Sequence, residues 1–248
     1  MYLSSLLIDV GENPDRPRPG RLWLRNRYHV HQRLCMGFPS ASQKEDDPEY
    51  LKPYDPQGFS HVHSARSMKE AFLFRIDPLL GNRVMVLLQS AIKPDWNYAF
   101  HNAQHLLAAP PEVKPIRLDF RVGQSFRFRL EANPTMRLRK GSRNTEGVLT
   151  GDDWVGKRVP VSAQRLEDWL IRRAERLGFR VHELTGLRPG YVYFNQKAVR
   201  GEGQRLRSAR YDGTLEVVVP EAFQAAVVCG IGSAKAFGFG LLSLAPVR

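Results

Sequence analysis

The sequence has few cysteines and no long apolar run, and both absences narrow the class of protein. Cys35 and Cys229 are the only two cysteines among 248 residues, too few for a disulfide framework or a cysteine-based zinc site. We expect both to be buried free thiols in a reducing compartment. No segment approaches the roughly 20 apolar residues that a membrane-spanning helix needs, and no signal-peptide pattern opens the chain. We expect a soluble cytoplasmic protein without a membrane partner.

Acidic residues are scarce relative to basic ones, which indicates an anionic partner. The chain has 25 Asp and Glu against 37 Lys and Arg, a formal net charge of +12 and a sequence pI near 10.0. A folded protein this basic usually meets nucleic acid or an anionic surface. The alternative is a solvated cationic face that only keeps the protein soluble. Clustering favours phosphate binding, because one short segment contains Arg121, Arg127, Arg129, Arg137, Arg139, Lys140 and Arg143.

Cofactor and metal motifs are also missing. The glycine-rich segment 230–246, "GIGSAKAFGFGLLSLAP", lacks the strand-then-helix context of a dinucleotide fold and the Gly-Lys-Ser/Thr of a phosphate-binding nucleotide loop. Its glycines still allow close backbone approach to a phosphate, and Lys235 adds a positive charge. The alternative is a plain helix-to-strand turn. His61 and His63 resemble a metal pair, but two ligands do not make a site. We predict neither cofactor nor metal.

The order of elements predicts an α+β protein with two tandem ferredoxin-like (βαββαβ) domains. We place the N-terminal domain at 1–117, with an inserted loop at 40–69, and the C-terminal domain at 118–248. The proline-rich stretch 108–118 would join them. The first domain would end in the strand "PIRLDFRV" (115–122). The second would contain a basic strand, two separate strands "FRVHEL" and "YVYFNQ", and the glycine-rich loop.

One predicted helix of the second domain has clear boundaries and one apolar face. We expect it to begin after a capping Ser162 and to end at Gly178. Its core-facing side chains would be Leu166, Trp169, Leu170, Ala174 and Leu177.

The stretch "RNRYHVHQRL" (25–34) combines arginines, histidines and a tyrosine on a predicted helix that continues to Phe38. On a helical wheel Val30, Leu34 and Phe38 face the core, with His31 beside that stripe and Tyr28 one turn earlier. His29 points away toward solvent. Metal-free RNA cleavage needs a general base or acid, which histidine supplies near neutral pH. A tyrosine hydroxyl can orient the reacting groups. A structural histidine and tyrosine at a domain seam is the alternative.

Several short motifs occur together in this order. They are "Y-x-x-H" at Tyr28 and His31, "VLLQS" with "PDW" shortly after, "RLEANP" at 129–134, and the glycine-rich loop followed by "GLLSLAP". The ordered set resembles the CasE family, the CRISPR repeat-processing endoribonucleases of the type I-E Cascade complex within the RAMP superfamily. The resemblance implies two ferredoxin-like domains and metal-independent cleavage of precursor CRISPR RNA at the 3′ base of a repeat stem-loop. It also implies a 2′,3′-cyclic phosphate product and an enzyme that stays bound to the hairpin with other Cascade subunits.

The resemblance also implies roles for individual residues. His31 and Tyr28 take the catalytic positions, and "KAVRGEGQRLRSAR" (197–210) becomes a basic hairpin against the RNA stem. The residues expected to bind RNA are Arg27, Arg127, Arg129, Arg137, Arg139, Lys157, Arg158, Arg200, Arg205, Arg207, Gly230, Gly232, Ser233 and Lys235. Two positions depart from the family pattern, since Glu131 and Met36 stand where basic residues are common in relatives. A non-catalytic subunit that only grips the hairpin is the alternative function.

Overall fold

The structure is a computed structural model that describes residues 1–11, 18–38, 72–141, 151–194 and 204–247. The whole predicted inserted loop 40–69, with His61 and His63, lies outside the described residues, as does Arg200.

The first sheet has the strand order of a ferredoxin-like domain. Its four antiparallel strands lie in the order β2-β3-β1-β4, because β1 pairs with both β3 and β4 and thus occupies the centre. Helices α1 and α2 follow β1, and α3 follows β3. The elements are β1 (Tyr2–Asp9), α1 (Pro19–Arg25), α2 (Arg27–Cys35), β2 (Phe72–Pro78), β3 (Arg83–Ser90), α3 (Trp96–Phe100) and β4 (Glu112–Pro115).

The second sheet repeats this arrangement, which confirms the predicted fold class. Its order is β10-β5-β9-β8, so the first and third strands of the unit again lie in the middle. A small hairpin of β6 and β7 is inserted before its first helix. The elements are β5 (Ser125–Ala132), β6 (Thr135–Arg137), β7 (Arg158–Pro160), α4 (Leu166–Arg176), β8 (Phe179–Phe194), β9 (Gln204–Val217), α5 (Pro220–Cys229) and β10 (Leu242–Pro246).

Helix α4 shows how the pattern of the sequence determines local structure. Its predicted apolar face is confirmed, since four of the five side chains are buried and Leu177 packs partly buried against the same core. Gly178 adopts a φ of +78°, a left-handed conformation that ends the helix and suits glycine. The predicted cap is wrong in detail. Ser162 precedes a 3-10 turn, Ala163–Arg165, and its side chain makes no capping hydrogen bond.

Two predicted strands differ from the observed ones. The fourth strand of the first domain is Glu112–Pro115, not 115–122, because the free edge at Tyr2–Ser5 of β1 pairs there. The predicted pair at 179–184 and 191–196 forms one continuous strand, β8, along β9. Register shifts between Val181 and Glu183 and between Leu184 and Gly186 interrupt the alternation of β8. This interruption explains why the sequence pattern shows two strands. The predicted boundary at 117/118 stays a prediction.

The two cysteines differ in their exposure to solvent. Both are free thiols, but Cys35 is buried as predicted, whereas Cys229 is half-buried. Within the described ranges, no helix is long and apolar enough to cross a membrane.

The two domains meet along β2, an edge strand of the first sheet. Residues 72–77 are all buried, although an edge strand usually faces solvent on one side. Arg75, with 4% of its surface exposed, donates to both carboxylate oxygens of Asp77. It also donates across the seam to the carbonyl of Arg129 at 3.2 Å and to the hydroxyl of Ser243 at 2.9 Å. A charged side chain this buried is tolerated because its donors find partners.

We expect replacement of Arg75 to destabilise the protein strongly. Arg75→Met leaves Asp77 buried with only the more distant Arg210, whose Nη1 lies 3.7 Å away. The free energy of unfolding should fall by about 3 kcal/mol, as for other broken buried pairs. Denaturant titration measures this loss. Lys114→Met is the matched control, because its ion pair with Glu112 is exposed and its removal should cost no more than about 0.5 kcal/mol. Equal effects of the two substitutions would contradict a structural role for Arg75.

Candidate functional site

Helix α2 begins after a break at Asn26 that separates it from α1. Its side chains point in the directions that the helical wheel predicts. The side chain of Asn26 accepts a hydrogen bond from the backbone N–H of Tyr28 at 3.1 Å, which caps the helix. Val30 and Leu34 are fully buried and Phe38 is 5% exposed, so the predicted core stripe is confirmed. His29 is exposed, whereas Tyr28 and His31 are half-buried. The two histidines therefore occupy different environments, as the helical wheel predicts.

The imidazole of His31 lies between its own helix and the aromatic side chains of β2. Its ring stacks on Phe72 with centroids 5.4 Å apart and on Phe74 at 6.4 Å. The thiol Sγ of Cys35, one turn further on, lies 3.7 Å from Nε2 of His31. These contacts hold the ring in one plane, and the side chain is half-buried, with its Nδ1 atom enclosed. A histidine held in this way can exchange a proton with a bound substrate.

Another basic residue of the stretch 25–34 has a structural role. Arg33 donates from Nη1 to the carbonyl of Ala99 at 2.9 Å and to the side chain of Asn102 at 3.0 Å. Burial lowers the pKa of this guanidinium. Arg33 thus ties α2 to the region of α3 and is not a candidate for contact with substrate.

The glycine-rich loop after α5 is built largely from left-handed backbone. Gly230, Gly232, Gly238 and Gly240 all have φ between +74° and +95°, which a plain helix-to-strand turn would not need at four positions. A 3-10 helix, Lys235–Phe237, lies inside the loop and packs against α2. Lys235 is half-buried there, and burial lowers its pKa while the nearby Cys229 raises it. The loop therefore packs the turn that carries Lys235 against the helix that carries His31 and Tyr28.

The link between the loop and His31 passes through Phe74. A β-carbon built on Gly238 would lie 3.0 Å from the ring of Phe74 and 2.8 Å from Nη1 of Arg27. Phe74 is fully buried and stacks on His31. Only a glycine at position 238 allows the loop to approach this ring so closely.

Asn133, within the "RLEANP" motif, anchors the glycine-rich loop from the other side. The buried amide donates to the carbonyl of Arg207 at 2.6 Å. Its Oδ1 accepts from the hydroxyl of Ser233 at 2.8 Å. In the same motif, the carbonyl of Glu131 accepts from the backbone N–H of Gly240 at 2.8 Å. The motif thus holds both ends of the loop, which gives it a structural function.

Glu131 also forms an ion pair across the domain seam. One of its carboxylate oxygens lies 3.6 Å from Nη2 of Arg27, and each side chain is 14% exposed. Burial lowers the pKa of Arg27 and raises the pKa of Glu131, and their mutual attraction opposes both shifts. The predicted RNA contact Arg27 is therefore largely enclosed and paired. Its position above Gly238 indicates support for the loop rather than a free phosphate ligand.

The predicted basic strand carries its arginines on the sheet face opposite the core. Arg127 is exposed and Arg129 is half-exposed on β5, and they alternate with the buried core residues Phe128 and Leu130. Alternation along a strand puts the two arginines on the sheet face opposite the core. Arg129 forms an ion pair with Asp212. The two arginines share this face with Glu131, the next residue in the alternation.

The end of the β8–β9 ribbon carries an arrangement that the sequence alone did not reveal. Tyr191 is directly opposite Arg207, and Tyr193 opposite Arg205. Both tyrosines are exposed, at 46% and 60%. The guanidiniums of Arg205 and Arg207 lie 5.0 and 5.3 Å from the ring centroid of Tyr191. Aromatic rings interleaved with arginines provide both stacking and charge for nucleic acid. The sequence feature that could have revealed this arrangement is the alternating "YVYF" (191–194), which pairs with "RLR" (205–207).

The remaining predicted contacts surround the β6–β7 hairpin. Arg137, Arg139, Lys157 and Arg158 are all exposed, and Lys157 Nζ lies 4.8 Å from the ring centroid of Trp154. Among the residues with described positions, no three His, Cys, Asp or Glu side chains form a group suited to a metal ion.

Comparison with known proteins identifies the family. A family model described as "CRISPR associated protein" matches residues 1–246. The chain belongs to this CRISPR-associated family. It is 34% identical to the CRISPR-associated endoribonuclease Cse3 of Thermus thermophilus, over 99% of this chain and 100% of that protein. It is 26% identical to the CRISPR system Cascade subunit CasE of Escherichia coli, over the full length of both.

A solved structure of similar fold contains RNA. Cse3 bound to a 19-nt RNA has 27% identity and a TM-score of 0.67, with 99% of this chain and 100% of that chain covered. A pre-cleavage complex of the Thermus thermophilus Cse3 has 28% identity and a TM-score of 0.65, with coverage of 99% and 98%. These relatives confirm the resemblance to the CasE family. The individual site residues remain predictions.

In this CRISPR-associated protein we expect Gly238→Ala to impair the site beyond its effect on backbone strain. Gly123→Ala is a matched control, since Gly123 has a similar φ of +79° but nothing within 4 Å of a built β-carbon. Both substitutions should cost about 1 kcal/mol from the left-handed conformation. Only Gly238→Ala should also displace Arg27 or Phe74, with further loss of stability in denaturant titration and slower cleavage of RNA. Identical stability and activity of the two variants would contradict the close approach.

Proposed function

We propose that the protein is a metal-independent endoribonuclease that cuts precursor CRISPR RNA at the 3′ base of the repeat stem-loop. It leaves a 2′,3′-cyclic phosphate and stays bound to the hairpin as a Cascade subunit. The observation that carries this proposal is the packing of His31, through Phe74, against the glycine-rich loop that bears Lys235. Its relatives named as a CRISPR endoribonuclease and a Cascade subunit support it.

The reaction requires proton transfer at two oxygens of the RNA. The 2′-OH attacks the adjacent phosphorus and loses its proton, the P–O5′ bond breaks, and the departing 5′-oxygen gains a proton. His31 serves as general acid or base in this step, because imidazole titrates near neutral pH. Tyr28, one helical turn earlier and half-buried, orients the ribose or the phosphate through its hydroxyl. No metal ion is needed for this transesterification.

Charge that develops on the phosphate requires stabilisation. Lys235 lies on the 3-10 helix that packs against α2, so its ammonium is the cation best placed for this role. The N–H groups of Gly230, Gly238 and Gly240 donate to carbonyls within the protein, so the loop stabilises this charge chiefly through Lys235. The binding energy comes largely from other contacts. The arginine and tyrosine ladder at the end of β8 and β9 binds the hairpin.

We further propose that the protein acts in the cytoplasm, where the repeat RNA and its Cascade partners are found. Two free thiols are compatible with a reducing compartment. A subunit that binds the hairpin without cutting it remains the competing function, and it requires the same basic surface. The two functions differ only in what His31 does.

We expect His31→Ala to abolish cleavage while affinity for the repeat hairpin stays within about threefold, because one imidazole contributes little to an interface of many phosphates. The rate of a single cut should fall by about 10²–10⁴-fold, the usual contribution of a positioned acid or base. The measurement uses labelled hairpin RNA in EDTA, with single-turnover kinetics and a separate binding titration. A cyclic phosphate on the upstream product identifies the reaction.

His29→Ala is the matched control, two residues away on the same helix and exposed. It removes an identical side chain, while the carbonyl of His29 that accepts from Trp23 Nε1 at 3.2 Å is retained. The control should cut at the wild-type rate. Tight binding without cleavage by the wild type would exclude the nuclease and leave the hairpin-binding subunit. Parallel loss of binding and cleavage in His31→Ala would indicate a structural histidine.

A further inference from the structure

A cleft lined by arginines lies between the β6–β7 hairpin and α4. Its volume is about 540 Å³. Among the described residues, Asp168 is the only acidic side chain that lines this cleft, together with the seven arginines Arg137, Arg139, Arg158, Arg165, Arg172, Arg173 and Arg176. Four of these, from Arg165 onward, belong to α4 or to the turn before it and were not among the predicted RNA contacts.

The arginines of this cleft repel one another, and a bound anion would relieve that repulsion. Arg172 and Arg176 lie four residues apart on one helix, a spacing at which like charges repel each other. Partial burial, with the neighbouring Arg176 and Arg158, lowers the pKa of Arg173. Arg173 also stacks over the ring of Trp169 at 4.7 Å. Such an arrangement matches a ligand with several phosphates, since guanidinium groups bind phosphate in a bidentate manner.

The shape of the cleft selects between forms of nucleic acid. It has walls on two sides, the β6–β7 hairpin and α4, and its volume is in the range of ligand pockets. An RNA duplex is too wide to enter such a space, whereas an unpaired strand with its phosphates turned toward the arginines fits.

The inner end of the cleft adjoins the glycine-rich loop. The hydroxyl of Thr135, which lines the cleft, lies 3.2 Å from the hydroxyl of Ser233 in the loop. The indole N–H of Trp169 donates to the carbonyl of Thr135 at 3.2 Å. A β-carbon built on Gly232 would lie 3.5 Å from the same indole. A strand that leaves the loop can therefore pass directly into the cleft.

We propose that the arginine cleft binds the phosphates of unpaired RNA that adjoins the repeat hairpin. This inference rests on the proposed function, because that function brings the hairpin and its cut strand to the glycine-rich loop. The cleft thus forms a second contact with the same RNA, separate from the stem contacts. It would distinguish a repeat within a longer precursor from an isolated hairpin.

The test compares two RNAs, the hairpin alone and the hairpin with a short unpaired extension at either end. The variant is Arg172→Ala/Arg176→Ala, whose side chains are both exposed, so that folding should be retained. It should bind the extended RNA more weakly. Because the variant neutralises two fewer phosphates, its plot of log affinity against log salt concentration should be shallower by about 1.4. Between about 50 and 200 mM salt, its affinity should therefore fall roughly sevenfold less than that of the wild type. Affinity for the hairpin alone should stay within about twofold.

Arg83→Ala/Arg180→Ala is the matched control, because it removes two exposed arginines outside the cleft. It should bind both RNAs like the wild type. An equal loss on both RNAs in the cleft variant would assign the cleft to the stem and overturn the proposal. No loss on either RNA would also overturn it, and impaired association with other Cascade subunits would then assign the cleft to an acidic protein surface. Cleavage of the hairpin by the wild type, measured separately, tests the proposed nuclease independently of the cleft.

Discussion

The guanidinium of Arg75 lies where the edge of the first sheet meets the second domain, and the site depends on that contact. It neutralises Asp77 on its own strand and donates to β5 and β10 across the seam. An unpaired strand edge buried in this way needs such donors and acceptors. With β2 held against the second sheet, Phe74 is placed between His31 and the glycine-rich loop. Helix α2 and the loop belong to different domains, so this seam determines their distance.

The basic residues divide the molecule into surfaces with separate tasks. Some arginines hold the fold together: Arg27 pairs with Glu131 and Arg33 with the region of α3. Others face outward around the glycine-rich loop, on the β8–β9 ladder and in the arginine cleft. The net charge of +12 therefore overstates the positive charge that is available to bind RNA. A buried guanidinium with fixed partners contributes to geometry, while an exposed one contributes to affinity and to its salt dependence.

Local patterns allowed prediction where neighbours in sequence determine structure. The core stripe of α2, the apolar face of α4 and the element order of both domains follow from periodicity and turn residues. Prediction failed where contacts between residues far apart in the sequence determine the structure. The strand Glu112–Pro115 is short and proline-containing, and only the free edge of β1 selects it. The pairing of Arg27 with Glu131 and the assembly of the arginine cleft join residues that are far apart in the sequence. The sequence pattern of α4 indicated its buried face. It did not indicate that the polar face of α4 forms one wall of the arginine cleft.

The break at Asn26 has a consequence for how this protein can change over time. Because the Asn26 side chain caps α2 at Tyr28, the orientation of α2 is set from that residue and not from the start of α1. The composition of α1 is constrained in its own way, since Gly20 is buried and the indole N–H of Trp23 donates to the carbonyl of His29. Evolutionary change is therefore easier at the exposed positions of α1, Leu22 and Arg25, than in the spacing of Tyr28 and His31.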